Sequence, residues 1–221
     1  LKIVHNLPDS PEEQDRLFQT LITQGLGGMV VNVSFHGFME SEPKWEAFLR
    51  GVKEAKRLGM SLWLYDECGY PSGAAGGITL RDHPEYEARG LNVTDAPVTG
   101  GSITLDLPPG TLVRAVAVPV RDGAVRLGET VDISGAVQGN TLAWTAPEGD
   151  WHAFVFTEGV LYEGTHAALS LALKLHYINL LPPEPTARFI EVNHGEYIKR
   201  LGDDLGNYFE ATFTDEPSLM S

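Results

Sequence analysis

The alternation of apolar and amphipathic segments constrains the fold of this chain more than any other feature of its sequence. Short, nearly continuous apolar runs predict strands at 1–7, 28–35 and 60–65, and segments with helical spacing of apolar residues lie between them. Ser10 can cap a helix that begins at Pro11 and has acidic residues in its first turn. Apolar strands separated by amphipathic helices are typical of a parallel sheet with helices on both faces.

A different pattern occupies the middle of the chain. Helical periodicity is absent from 92–157, where short β-rich runs alternate with turns such as Asp122-Gly123 and Gly139-Asn140. This segment is predicted to form a small β-sandwich or barrel. The mixed pattern returns over 158–221, with a helix at 185–201 and a fourth strand at 208–214. The chain is therefore predicted to hold one α/β domain, 1–91 and 158–221, into which a β domain, 92–157, is inserted.

Composition narrows the class of partner. The net charge is −14 and the sequence pI is about 4.8, which argues against nucleic acid or an anionic membrane as the main partner. A single cysteine, Cys68, excludes an internal disulfide. No apolar run approaches the roughly 20 residues that span a bilayer, so no membrane span is predicted. Neither a phosphate-binding loop nor a dinucleotide fingerprint is present, which makes nucleotide binding an unfavoured interpretation.

Polar and charged residues collect where the predicted parallel strands end. In such sheets the carboxyl ends of the strands face one shared crevice, where functional groups gather. Two of the four strands end in the same dipeptide, Asp-Glu. The candidates at the four strand ends, in chain order, are His5 and Asn6, then Asn32, Ser34, Phe35 and His36, then Asp66 and Glu67, and finally Asp215 and Glu216.

Paired carboxylates favour acid–base hydrolysis. One protonated carboxyl can give its proton to a leaving oxygen while a second, ionised one activates water or attacks directly, as in glycoside hydrolysis. Glu67 and Glu216 are predicted to react, while Asp66 and Asp215 orient or bind the substrate. The alternative is that each Asp-Glu pair only caps the turn that follows it.

Other residues are predicted to contact a carbohydrate. Asn32 and His36 can hydrogen-bond sugar hydroxyls, and Tyr70 with Phe35 can offer a stacking surface for the apolar face of a sugar. The four carboxylates suit Ca²⁺ better than zinc, although the sequence holds no dense Asp-x-Asp loop. Calcium remains an open alternative, with Glu67 and Glu216 as candidate ligands. A metal-dependent hydrolase of another bond is a third function class.

Two long motifs resemble a known family. The stretch LWLYDECGYPSGAAGG, at 62–77, and the segment TARFIEVNHGEYIKRLGDDLGNYFEATFTDEPS, at 186–218, resemble motifs of the glycoside hydrolase family 106 α-L-rhamnosidases and related large bacterial glycosidases. GGMVVNVSFHGF, at 27–38, fits the strand that precedes the first motif.

The resemblance implies a (β/α)8 (TIM) catalytic barrel, of which this chain would hold about the first four β/α units with an inserted β-sandwich-like domain. It also implies inverting hydrolysis of a glycosidic bond, a Ca²⁺ near the site, Glu67 and Glu216 as active-site glutamates, and a periplasmic or extracellular location. Family members are far longer, so the chain is expected to be a fragment completed by the remainder of the barrel or by a second copy. The alternative function is a carbohydrate-binding or scaffold fragment without turnover.

Overall fold

A four-stranded parallel sheet organises the first of two units. The structure is a computed structural model that describes residues 1–160 and 176–217; the rest of the predicted 158–221 segment lies outside the described residues. The first unit contains residues 1–88 together with 176–217, and the second contains residues 89–160. Strands follow the order β1-β2-β3-β10, where β1 is Lys2–Val4, β2 is Gly28–Val31, β3 is Ser61–Tyr65 and β10 is Ala211–Phe213.

The first two helices lie between these strands, as the sequence predicts. Helix α1 spans Pro11–Thr23, and its cap residue Ser10 accepts a hydrogen bond from the Glu13 amide at 3.3 Å. Helix α2 spans Glu42–Arg57 and is followed by Gly59, whose φ of +76° favours glycine. The buried residues of α2 recur every three or four positions and pack into the core, namely Trp45, Phe48, Val52 and Ala55.

The helix predicted at 185–201 is broken in the structure. Helix α3 spans Pro183–Val192, α4 spans His194–Leu201, and a short helix α5 spans Asp204–Tyr208. Asn193 interrupts the run because its side-chain amide donates to the backbone carbonyl of Asp66, at the end of β3. The break thus coincides with a polar contact between distant segments and with a run of poor helix formers, Asn193-His194-Gly195.

A single six-stranded antiparallel sheet forms the second unit. The strands are β4 Arg89–Asp106, β5 Thr111–Arg121, β6 Ala124–Val125, β7 Val131–Asp132, β8 Val137–Gln138 and β9 Thr141–Val160. The two long strands, β4 and β9, pair along almost their whole length, and β5 pairs with the other edge of β9. A small apolar core lies on this sheet and includes Ala115, Leu142, Ala153 and Val155.

The expected fold, part of a (β/α)8 barrel with an inserted β-sandwich, is wrong. The described strands form a parallel sheet of four strands and an antiparallel sheet of six. In the second unit, Gly100 and Gly101 lie inside β4 and accommodate a bulge, where the pairing register shifts. The predicted short runs therefore merge into one sheet instead of forming two that face each other.

Within residues 1–160 and 176–217, no helix is long and apolar enough to cross a lipid bilayer.

Candidate functional site

The Glu67 side chain organises the loop that follows β3, residues 68–77. Its carboxylate is 1% exposed and accepts four backbone N–H bonds from that loop. One oxygen accepts from Cys68 at 2.6 Å and Gly76 at 2.8 Å, and the other accepts from Gly73 at 2.9 Å and Ala75 at 2.8 Å. The φ values of Gly73 and Gly76, +143° and +63°, are accessible to glycine at little cost. The glycines thus let the chain wrap around one buried carboxylate.

This environment sets the protonation of Glu67. Burial raises the pKa of Glu67 from 4.5 to about 7, although the four N–H donors act in the opposite direction. Asn32, which is fully buried, donates its side-chain amide to the backbone carbonyl of Glu67 at 2.6 Å. Asn32 therefore fixes the backbone at the end of β3 through this hydrogen bond.

Asp66 points toward helix α4. Its two carboxylate oxygens accept hydrogen bonds from the hydroxyls of Ser72 and Thr214, each at 2.7 Å, and the ring Nε2 of His194 lies 3.7 Å away. Burial raises the pKa of Asp66, and these hydroxyl donors act against that effect. Ser72 also joins the two strand ends, because its hydroxyl accepts from the Asp215 amide at 2.8 Å.

Asp215 points the other way, toward Tyr65. The Tyr65 hydroxyl donates to the Asp215 carboxylate at 3.0 Å, and burial beside that carboxylate raises the pKa of Tyr65. Alternation along the strands explains the division, since Tyr65 and Asp66 are adjacent and project to opposite faces of the sheet. Glu216, next to Asp215, is exposed and has a φ of +39°. Positive φ is uncommon in a residue with a side chain and often marks a functional segment.

An aromatic cluster lies at the same strand ends as Asp215. Tyr65 contacts the rings of Phe213 and Phe35, with centroid distances of 5.5 and 6.1 Å, and His5 lies 4.8 Å from Phe35. Tyr65 and Phe35 are buried in this cluster, whereas His5 is exposed and Phe213 is half-buried. The surface that this cluster offers a ligand is therefore formed by His5 and Phe213 rather than by Phe35.

Two other predicted contacts have separate positions. His36 is exposed, and its backbone amide donates to the Ser34 hydroxyl at 3.2 Å. Tyr70 is half-buried and precedes Pro71 through a cis peptide bond. Asp66, Glu67 and Asp215 thus lie at the same strand ends, but each carboxylate accepts hydrogen bonds from a different set of donors.

Glu67, one of the two candidate calcium ligands, is occupied by its own loop. Both oxygens of Glu67 accept backbone N–H bonds, and those of Asp66 accept hydroxyl bonds. Across residues 1–160 and 176–217, no group of three or more His, Cys, Asp or Glu side chains is placed to hold a metal ion.

The sequence did not single out several residues of this region, above all Asn193 and His194. Both residues lie within the predicted helix at 185–201, whose apolar spacing is helical, so the sequence predicts them to be ordinary helix positions. One local signal was available, because Asn193-His194-Gly195 is a run of poor helix formers inside the predicted helix. That run predicts a break, but not the contacts with Asp66.

Comparison with known proteins adds little. No family model matches the chain. No curated protein matches it. A crystal structure of a protein from Lactobacillus plantarum, a structural-genomics target, shares 13% sequence identity over 64% of this chain and 84% of its own, with a TM-score of 0.21. A likeness this weak carries no argument about fold or function.

Proposed function

We propose that the first unit is the catalytic region of a glycoside hydrolase. The observation that carries the proposal is the position of Asp215 and Glu216 at the end of β10, beside the aromatic cluster of the neighbouring strand ends. Carboxylates next to aromatic rings suit hydrolysis of a glycosidic bond, because the rings can contact the apolar face of a sugar while the acids transfer protons.

In this proposal the carboxylates divide their roles. Glu216 is exposed and able to meet a substrate, and Asp215 is held in place by the Tyr65 hydroxyl. Glu67, whose oxygens both accept N–H bonds, shapes the 68–77 loop and acts as a positioning residue. His36 and Tyr70 are proposed to contact the sugar from neighbouring strand ends.

The motif resemblance directs the choice of substrate. It rests on the residues around Glu67 and Glu216 and favours α-L-rhamnosides, with a periplasmic or extracellular location. It does not depend on a barrel, which the chain lacks over its described residues. A carbohydrate is therefore the proposed small-molecule partner.

A second candidate is a carbohydrate-binding region without turnover. The saturated carboxylate of Glu67 favours it, because one of the two glutamates expected to react is committed to the backbone. Catalysis would then depend on Asp215 and Glu216 alone. Binding of sugar by the wild type, unaffected by Glu216→Gln and unaccompanied by hydrolysis, would favour this candidate.

Glu216→Gln and Asp215→Asn are each expected to lower kcat/KM on an aryl α-L-rhamnoside by about 10²–10⁴-fold, the range for loss of a group that transfers protons. Release of the aryl alcohol measures the rate, for the 221-residue chain and for any longer product that contains it. The matched control is Glu46→Gln, which changes an exposed glutamate on α2 and should leave the rate unchanged. Equal rates for all four proteins on every glycoside tested would remove the proposal.

A second copy of the chain is a further proposed partner. Among the described residues, β1 and β10 are the edge strands of the parallel sheet, and unpaired strand edges favour association. We expect size-exclusion chromatography with light scattering to report a dimer. A monomer at every concentration tested would contradict this.

A further inference from the structure

A cavity of about 400 Å³ lies at the end of β3, where Asp66 lines it and no residue of the aromatic cluster does. It belongs entirely to the first unit, between the end of β3, helix α3 and the segment 178–180. Pockets that hold small molecules typically have about 300–1,000 Å³, so the volume suits a ligand of modest size. Most of the wall is apolar and is formed by Ile178, Leu180, Phe189 and Ile190.

One corner of this cavity is polar. Asp66 and His194 both line it, together with Ser72 and Thr214. The two hydroxyls donate to Asp66, one to each carboxylate oxygen, which leaves each oxygen able to accept a second hydrogen bond. The carboxylate is therefore fixed in position and still has acceptor capacity.

The imidazole of His194 makes no hydrogen bond to the described residues. Its Nε2 lies 3.7 Å from Asp66 Oδ2, too far for a hydrogen bond, and its Nδ1 is buried without a partner. The ring atom beside Asp66 is therefore Nε2, which has no hydrogen-bond partner among the described residues. The corner thus offers an acceptor on Asp66 and the Nε2 atom of His194, 3.7 Å apart.

We propose that this cavity binds a small neutral alcohol or phenol, with its hydroxyl between Asp66 and His194 and its apolar body against Ile178, Phe189 and Ile190. A hydroxyl donates one hydrogen bond and accepts another, which matches a carboxylate beside an imidazole. A ligand carboxylate is disfavoured, because it would meet the Asp66 carboxylate at short range. A hydrocarbon fills the apolar wall but leaves the polar corner unsatisfied. This site is separate from the glycosidase proposal and does not depend on it.

Titration of the ¹⁵N-labelled chain with phenol, toluene and benzoate, followed by NMR, tests the proposal. Phenol is expected to bind with a dissociation constant on the order of 1 mM or below, at least about tenfold tighter than toluene or benzoate. The amide signals that shift should be those of α3 and of the first turn of α4. Absence of phenol binding, or equal binding of phenol and toluene, would overturn it.

Two pairs of variants locate the site. Ile190→Trp fills the cavity from a position that is 51% exposed and is expected to weaken phenol binding by about tenfold or more. The matched control is Ile198→Trp on α4, 55% exposed and outside this cavity, which should leave binding unchanged. His194→Leu is expected to remove the preference for phenol over toluene, and His194→Gln to keep part of it. Unchanged phenol binding in a folded Ile190→Trp variant would place the ligand elsewhere and refute the assignment.

Discussion

Glu67→Ala is expected to lower the free energy of unfolding by about 4 kcal/mol or more, since it leaves four N–H groups of the 68–77 loop without their acceptor. Each buried donor left unpaired costs roughly 1–3 kcal/mol, and water entering the space offsets part of the total. Denaturant unfolding at pH 5 measures the loss. Glu67→Gln should fall between the wild type and Glu67→Ala, because its amide oxygen still accepts while its NH₂ group meets other donors.

The control for this prediction is Glu46→Ala, on an exposed part of α2, which should change stability by less than about 0.5 kcal/mol. A loss at Glu67 no larger than that of the control would show that the loop does not depend on this carboxylate.

The loss at Glu67 should also depend on pH. The pKa of Glu67 is raised from 4.5 to about 7 in the folded chain, so the folded state binds more protons than the unfolded state between these values. Its contribution is therefore fully present below pH 4.5 and is lost as pH rises through about 7. The raised pKa of Asp66 acts in the same direction. Glu67→Ala is expected to cost less at pH 8 than below pH 4.5, and a difference of the opposite sign would contradict this prediction.

Gly110→Ala is expected to lower the stability of the second unit by about 3 kcal/mol. Gly110 precedes β5 and has a φ of +117°, which disfavours any residue with a Cβ. A Cβ added there would lie 2.2 Å from the backbone oxygen of Glu158 in β9. Backbone atoms of a paired strand cannot rotate away, so the sheet itself must shift. Hydrogen-exchange protection of β5 and β9 amides measures the effect in the unit concerned.

Gly123→Ala is the matched control for Gly110. Gly123 also has a positive φ, +72°, but no atom lies within 4 Å of an added Cβ. Its substitution should cost only about 1 kcal/mol, the conformational part of the effect. Equal losses at the two positions would mean that the close approach of Gly110 to Glu158 does not contribute.

Local signals in the sequence predict much of the first unit. The Ser10-Pro11 start predicts α1, and the helical spacing of apolar residues between the second and third strands predicts α2. These predictions succeed because caps and helical periodicity act over one or two turns. The convergence of Asp66 and Asp215 at one sheet edge also follows from the pattern, since β3 and β10 pair in parallel and end together.

Long strands in the second unit were missed for a physical reason. Gly100 and Gly149 carry turn-like conformations and interrupt the β pattern in the sequence, yet β4 and β9 continue through them. Pairing between two distant strands compensates for the local weakness of each, and that pairing depends on residues some fifty positions away. The pattern of residues within one strand therefore cannot predict this pairing.

The sequence by itself predicted that the polar residues at the strand ends of the first unit lie near one another, because the carboxyl ends of parallel strands face one crevice. Only the tertiary structure decided what each carboxylate does. Glu67 accepts from its own loop, Asp66 faces His194, and Asp215 accepts from Tyr65. The same dipeptide thus has different roles on two adjacent strands, because the donors around each carboxylate set its role. The donors of Glu67 come from its own loop, whereas Thr214 reaches Asp66, and Tyr65 reaches Asp215, between the paired strands.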